Sequence, residues 1–487
     1  MCLHMLSKFD FKPAQKWLIF PTKARYAKCL LLVFFMLFSF GAQAEVEEEE
    51  ESNVSSTHAD YDGNTLILKG NVLLEHFLGT MRAEEAFLER EENGKVPFSK
   101  IRLHQNVLLS LKNNSSLKAA EAHLDFILLH AVFCSSDTEK IEYKDHVVRG
   151  KKEIPLKLSS HKITLEMVKE KEGFDVAEVK ATNNVTMDYG QDFSLNTHEA
   201  HYIRNKGIVE ALPQEGEKSC LLHGKDLIEA DKITLDLGAS TLTLIHPEGA
   251  IYSLEESLTF SSDTLTWDEI ANTLTLKDNI KLKESLFGTL LAEDCLEITK
   301  DEQGVRFIKT KGKTIFTYED EKLCHTLTNF GSLVIDRKEN ICTMESPVIK
   351  GNTSQKLQLY YEQEEAGIFA NKAHITYQET LGKLKPVELH LLGNIRLYSK
   401  DLKTRLAKAD EIKCFPQKQT LMLIATPGKK VLFFDESEAL YLSASEIHIS
   451  RDPLTKKEIV RGIGNVRFTF NDEESIALKS MFQETHE

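Results

Sequence analysis

Helical periodicity, catalytic signatures and positive charge are all in short supply in this 487-residue chain. None of the eight cysteines forms a C-x-x-C, which removes the usual support for a zinc ribbon or a thioredoxin-like site. H-E-x-x-H, G-x-S-x-G, G-x-x-x-x-G-K-[ST] and G-x-G-x-x-G are absent, so the common metalloprotease, hydrolase and nucleotide-binding chemistries have no starting point. His198-Glu199-Ala200-His201 comes nearest to a metal motif. On a strand, however, positions three apart face opposite ways and the two imidazoles diverge. Asp435 and Glu436 read as turn residues. The sequence offers no catalytic residue, no metal site and no cofactor, and the chain reads as a non-enzyme. Trp (two) and Pro (11) are scarce, whereas Phe (26) is plentiful. At 41% hydrophobic and 28% charged, the composition is that of a folded chain.

The N-terminus reads as an export signal. Lys8, Lys12, Lys16, Lys23, Arg25 and Lys28 precede the apolar run Leu30–Phe40, which ends at Gly41-Ala42-Gln43-Ala44. That run is too short for a comfortable bilayer span of about 20 residues, so residues 1–44 are a signal peptide, with an uncleaved anchor as the alternative. The acidic stretch 45–56 follows as a solvated tether. Without residues 1–44 the net charge is about −20, which repels phosphate backbones and makes nucleic acid an unsuitable partner. Six cysteines remain, with Cys324 and Cys342 the closest pair in sequence. Disulfides and buried free thiols are both compatible with that count.

Short runs of period two dominate the remainder and predict half-buried strands. One pattern recurs: apolar-x-(apolar or small)-x-x-Asn-(Val/Ile)-x-apolar, with Asn71, Asn106, Asn184, Asn279, Asn394 and Asn465 in the same slot. Strand alternation turns each Asn outward beside an inward small or polar residue. The Gly and Asn content marks a bulge or bend within the strand. Six copies of one active site are implausible, so the slot reads as architectural. The inward stripe comprises Leu66, Leu68, Val72, Leu74, Leu274, Leu276, Ile280, Leu282, Leu389, Leu391, Ile395, Leu397, Val466 and Phe468. An Ala-Asp or Ser-Asp element precedes many copies, as at Ala230-Asp231, Ser262-Asp263 and Ala409-Asp410. Proline replaces the bend in Leu242–Ile251 and Leu421–Val431. About a dozen two-strand units, hence about two dozen strands, must stack to bury their apolar faces. The least regular point is Pro213–Lys218, dividing 57–215 from a continuous region 216–487.

The string Ala59–Val72 (A-D-Y-D-G-N-T-L-I-L-K-G-N-V) followed by Met81-Arg82-Ala83-Glu84-Glu85-Ala86 resembles the OstA-like repeat. That repeat is found in the lipopolysaccharide transport proteins LptA and LptC and in the N-terminal part of LptD. Leu389–Ile412 and Val460–Phe468 extend the likeness, whereas 120–260 matches more weakly, with Asn183 and Asp278 where the family prefers Gly. The resemblance implies an all-β, elongated, V-shaped antiparallel jellyroll. It also implies a periplasmic bridge that carries lipopolysaccharide or lipid A between inner and outer membranes, with acyl chains shielded in an apolar groove lined by the inward stripe. Open sheet edges would recruit Lpt-type membrane proteins or further copies of the chain end to end. The long run of amphipathic strands and aromatic girdles of an outer-membrane barrel is missing. Two other readings stand beside this one: a structural or adhesive β-solenoid with a closed core and no ligand, and a polysaccharide-acting β-helix.

Overall fold

The computed structural model describes residues 53–483 except 77, 91–97, 137–138, 171–172, 253–256, 285–287, 321–322, 348–356, 381–382, 400–403, 453–454, 456 and 471. The signal segment 1–44 and residues 45–52 of the acidic tether lie outside the described residues. The end of that tether is not a tether: Asn53–Ser55 is a strand paired with Leu73–Glu75.

The fold is all-β, as the alternation predicts. The described residues form 39 strands in one antiparallel network, where the sequence pattern suggests about two dozen. The difference arises after residue 207. Before it, strands such as Thr65–His76, Lys100–Leu111 and Gly173–Tyr189 run unbroken through both halves of the fold. Beyond it, most units split into separate five-residue strands, one for each half. Two such segments, Thr273–Lys277 and Ile280–Glu284, read as a single strand in sequence but pair with different neighbours, Thr264–Asp268 and Ser257–Ser261. Unbroken strands return with Lys383–Ser399 and Arg405–Phe415.

The halves form two sheets that meet along a corner. The six Asn slots build it. Asn71, Asn106, Asn184, Asn279, Asn394 and Asn465 all have φ between 46° and 57°, and the residue before each is also positive: Gly70, Gln105, Asn183, Asp278, Gly393 and Gly464. Two successive left-handed residues turn the strand sharply. Gly tolerates this at no steric cost, and Asn tolerates it best of the rest. In the pairing of Thr65–His76 with Gly79–Glu89, Lys69 meets Glu85 and Val72 meets Ala83, so two residues oppose Glu84 alone. The same two-against-one bulge recurs at Asn106, Asn184 and Asn394, and such bulges bend a ladder. At Gly393 a Cβ would also lie 2.8 Å from Asn371 Nδ2. Backbone bonds stitch the corner from one unit to the next, as in Asp263 N–H to Asp278 O (3.0 Å) and Asp278 N–H to Asp294 O (3.2 Å).

We call the sheet that ends at Glu458–Ile463 sheet I and the one that ends at Leu440–Ala444 sheet II. Pro213–Lys218 is the connection that carries the chain from Ile208–Leu212 in sheet I to Ser219–His223 in sheet II, and both sheets continue past it. The edge opposite the corner, where the hairpin tips of the two sheets face each other, is the lip. One helix, Asp472–Gln483, follows the last strand. Three acids in its first turn, Asp472, Glu473 and Glu474, oppose the partial positive charge of its N-terminus, and the side chain of Leu478 is buried.

Candidate functional site in the interior between the sheets

Cross-strand partners form an uninterrupted inward row nearest the lip of sheet I. In its second half the row passes Leu235, Leu242, Trp267, Leu274, Ile298, Ile308, Ile335 and Cys342, then Ile375, Leu389, Cys414, Leu421, Ile449 and Val460. Every partner carries the next because inward positions on adjacent antiparallel strands stand opposite one another. Burial changes along this row. From Leu235 to Cys342 each member is buried, and from Ile375 to Val460 each is only half-buried. Sheet II loosens only over a middle stretch and is buried again beyond it at Ala407, Phe433 and Leu442. Its inward row Phe260, Leu282 and Leu290 is buried, whereas Phe316, Leu327, Tyr361, Ile368 and Leu397 are half-buried. Both loosened stretches include the strand Lys383–Ser399, through Leu389 and Leu397.

The sequence-predicted stripe distributes accordingly. Leu68, Val72, Leu74, Leu274, Leu276, Ile280, Leu282, Leu391 and Ile395 are buried core. Leu66 and Leu397 are half-buried and packed on that core, and Leu389 is half-buried. Val466 (39% exposed) and Phe468 (69% exposed) are exposed. After the Gly464-Asn465 bend only a single bridge, Ser443 to Arg467, continues the pairing. Alternation still dictates two faces there, but no further strand covers either.

Charged ties cross the lip. Arg204 Nε lies 2.9 Å from Asp145 while its NH1 reaches Asp175 at 2.8 Å. Arg149 meets Glu269 at 3.3 Å, and Lys300 pairs with Asp226 while lying over the Trp267 ring. Arg337 pairs with Glu284, and Arg405 NH1 lies 3.0 Å from Glu458. Asp145, Asp226 and Glu284 are almost wholly buried. Breaking such a pair leaves a buried carboxylate without its counter-charge, at a cost of several kcal/mol. The loosened stretch lies between the Arg337 and Arg405 ties. Sequence reasoning missed these ties, because partners 29 to 120 residues apart give no local signal.

Titration behaviour follows burial. Burial pushes the Cys342 thiol up to about 12 and the Tyr361 phenol up to about 12, and it raises Cys414. All six described cysteines are free thiols, with Cys342 buried and Cys324 exposed. Among the described residues no group of three or more His, Cys, Asp or Glu side chains is placed to hold a metal ion. In the His-Glu-Ala-His segment, His201 Nε2 engages Glu178 at 2.8 Å and Glu199 engages Lys180 at 2.7 Å.

No protein-family profile and no curated protein matches this chain. The OstA-like resemblance therefore rests on the residues quoted for it.

Proposed function

We propose that this protein binds the acyl chains of a lipid between its two sheets and passes them across an envelope compartment between membranes. Entry is through the loosened stretch around Leu389, Leu397 and Ile375. The observation that carries the reading is the change from buried to half-buried along both inward rows while the row itself stays apolar. Each methylene that moves from water onto such a surface contributes about 0.8 kcal/mol. Lipopolysaccharide or lipid A is the lipid that the resemblance implies, with the periplasm as the compartment, Lpt-type membrane proteins as edge-strand partners and no chemical turnover.

The second reading, a solenoid with a closed core and no ligand, is favoured by the row from Leu235 to Cys342 and by the lip ties beside it. A crosslinking experiment separates the two. A photoreactive side chain at Leu389 is expected to capture labelled lipid A, whereas the same group at Leu274 captures none. Leu389→Asp is expected to lower uptake at least tenfold while the β-sheet circular dichroism is retained. A folded protein that extracts no lipopolysaccharide or lipid A from vesicles would sink the transfer reading and leave the closed solenoid.

A further inference from the structure

Four hairpin turns at the lip of sheet I share one backbone. Each opens on an aspartate whose carboxylate accepts backbone N–H bonds from within the turn. Asp125 accepts from Ile127 (3.0 Å) and Leu128 (2.9 Å), Asp236 from Ala239 (2.8 Å) and Asp268 from Ala271 (2.8 Å). Asp336 accepts from Lys338 (3.0 Å) and Glu339 (3.1 Å). Each turn ends on a left-handed residue: Leu129, Ser240, Asn272 or Asn340. This geometry places no demand on the side chains at the apex, where turns ordinarily carry polar residues. The Asp336 turn does so, with Lys338 and Glu339. The Asp125 turn instead presents Ile127 (54% exposed) and Leu128 (71% exposed), and the Asp268 turn presents Ile270 (67% exposed). The first of these apices is pinned on both sides, because Phe126 is buried against His76 and Leu129 packs on the core.

Further aliphatic side chains join the two apices. Leu129 O accepts from Met167 N–H at 2.8 Å, which brings the strand end at the exposed Val168 to the first turn. The tie between Arg149 and Glu269 joins the tip that carries Val148 (68% exposed) to Ile270. Charge on this stretch of the lip is opposite in sign to that of the chain, whose net charge is −15. Lys151, Lys152, Lys206 and Lys225 are exposed on its tips and make no ion pair among the described residues, against the exposed acids Glu153 and Asp192. This combination selects a partner. Aliphatic side chains on separate tips, with lysines between them, form no continuous apolar face, and lysine is depleted at protein interfaces. A bilayer surface is fluid and takes each tip individually. Aliphatic side chains enter its headgroup boundary, and lysines are drawn to anionic lipids.

We infer that the lip between residues 125 and 272 is a docking edge that seats on an anionic bilayer surface, independently of the acyl-chain stretch. Full-length protein with an environment-sensitive fluorescent side chain at Leu128, Val148 or Leu392 tests it. Each probe reports on its own position, whatever the N-terminal apolar run does. Leu392 is exposed beside the Gly393-Asn394 corner, on the edge opposite the lip. With vesicles of phosphatidylcholine mixed with phosphatidylglycerol, the probes at Leu128 and Val148 are expected to shift saturably to the blue. Brominated acyl chains are expected to quench both, while the probe at Leu392 stays in water. Lys151→Gln with Lys152→Gln is expected to weaken the response at Leu128 about thirtyfold, at roughly 1 kcal/mol for each lysine near an anionic surface. Ile127→Ser with Leu128→Ser, read from the Val148 probe, is expected to weaken it roughly tenfold. These positions are exposed, and vesicles of phosphatidylcholine alone test the charge requirement without any substitution. A Leu128 probe that stays in water on every vesicle overturns the docking edge. So does an equal shift at Leu392, or an affinity that ignores both the lysines and the lipid charge. A blue shift that needs no vesicles and grows with protein concentration assigns the tips to a second copy of the chain instead.

Discussion

The imidazole of His76 packs against Phe126 across the lip, with ring centroids 4.4 Å apart. Each comes from a different sheet, His76 from the end of Thr65–His76 and Phe126 from the turn after Ser116–Asp125. Burial, with the nearby Lys112 charge adding to it, pushes the His76 imidazole down to about 4.

That shift makes this end of the fold acid-sensitive. The unfolded chain protonates His76 near its ordinary 6.5, whereas the folded chain resists until about pH 4. Between these values the unfolded state binds more protons, so stability falls as pH falls through the window, and this group contributes no further loss below it. The total is on the order of 3 kcal/mol. Denaturant midpoints measured from pH 7.5 to pH 4 are expected to flatten in His76→Phe. An unchanged slope would remove His76 as the cause.

The lip ties predict a non-additive pair. Arg337→Met strands Glu284 in a buried site and is expected to cost roughly 3–5 kcal/mol, whereas Arg337→Met with Glu284→Leu is expected to recover most of that. Urea unfolding of the four proteins of the cycle measures it. Simple additivity would mean that the pair does not hold the lip.

Corner geometry sets a third expectation. Asn394 has φ 46°, so Asn394→Val is expected to cost about 1–2 kcal/mol, and Asn394→Gly to be near neutral. Equal destabilisation by Val and Gly would shift the role of Asn394 from its backbone conformation to its amide group. Thermal unfolding of both variants decides.

Thiol reactivity is the fourth. Cys324 is exposed, whereas Cys342 is buried with its thiol pushed up to about 12. An aromatic disulfide reagent at pH 8 is expected to label Cys324 within minutes and Cys342 only after unfolding, because the thiolate is the reactive form. Early labelling at Cys342 would show that sheet I opens near it.

Much of this fold is legible in the sequence, for a local reason. Alternation and the positive-φ preference of Gly-Asn act within a few residues, so the strands and all six corners can be read directly. Strand count is harder, because a run such as Thr273–Glu284 alternates identically whether it pairs as one strand or as two. The inward stripe is buried or half-buried wherever a next described strand covers it and is exposed at Val466 and Phe468, where none does. What decides the candidate sites lies beyond local pattern. The burial step between Cys342 and Ile375 and the meeting of Arg149 with Glu269 depend on how the two sheets approach. No spacing along the chain encodes that distance.

Backbone pairing reaches no further than a near neighbour in the chain: Ile208–Leu212 bonds to Phe193–Ile203 and to Lys232–Asp236, and the pattern repeats along both sheets. The number of units is therefore adjustable rather than fixed by closure. A hairpin pair removed between two corners leaves its neighbours able to bond to each other, and a duplicated pair finds partners on both sides. Growth and shortening by whole modules are thus open to a gene encoding this architecture, in a way that a barrel, which must close on a set strand number, forbids.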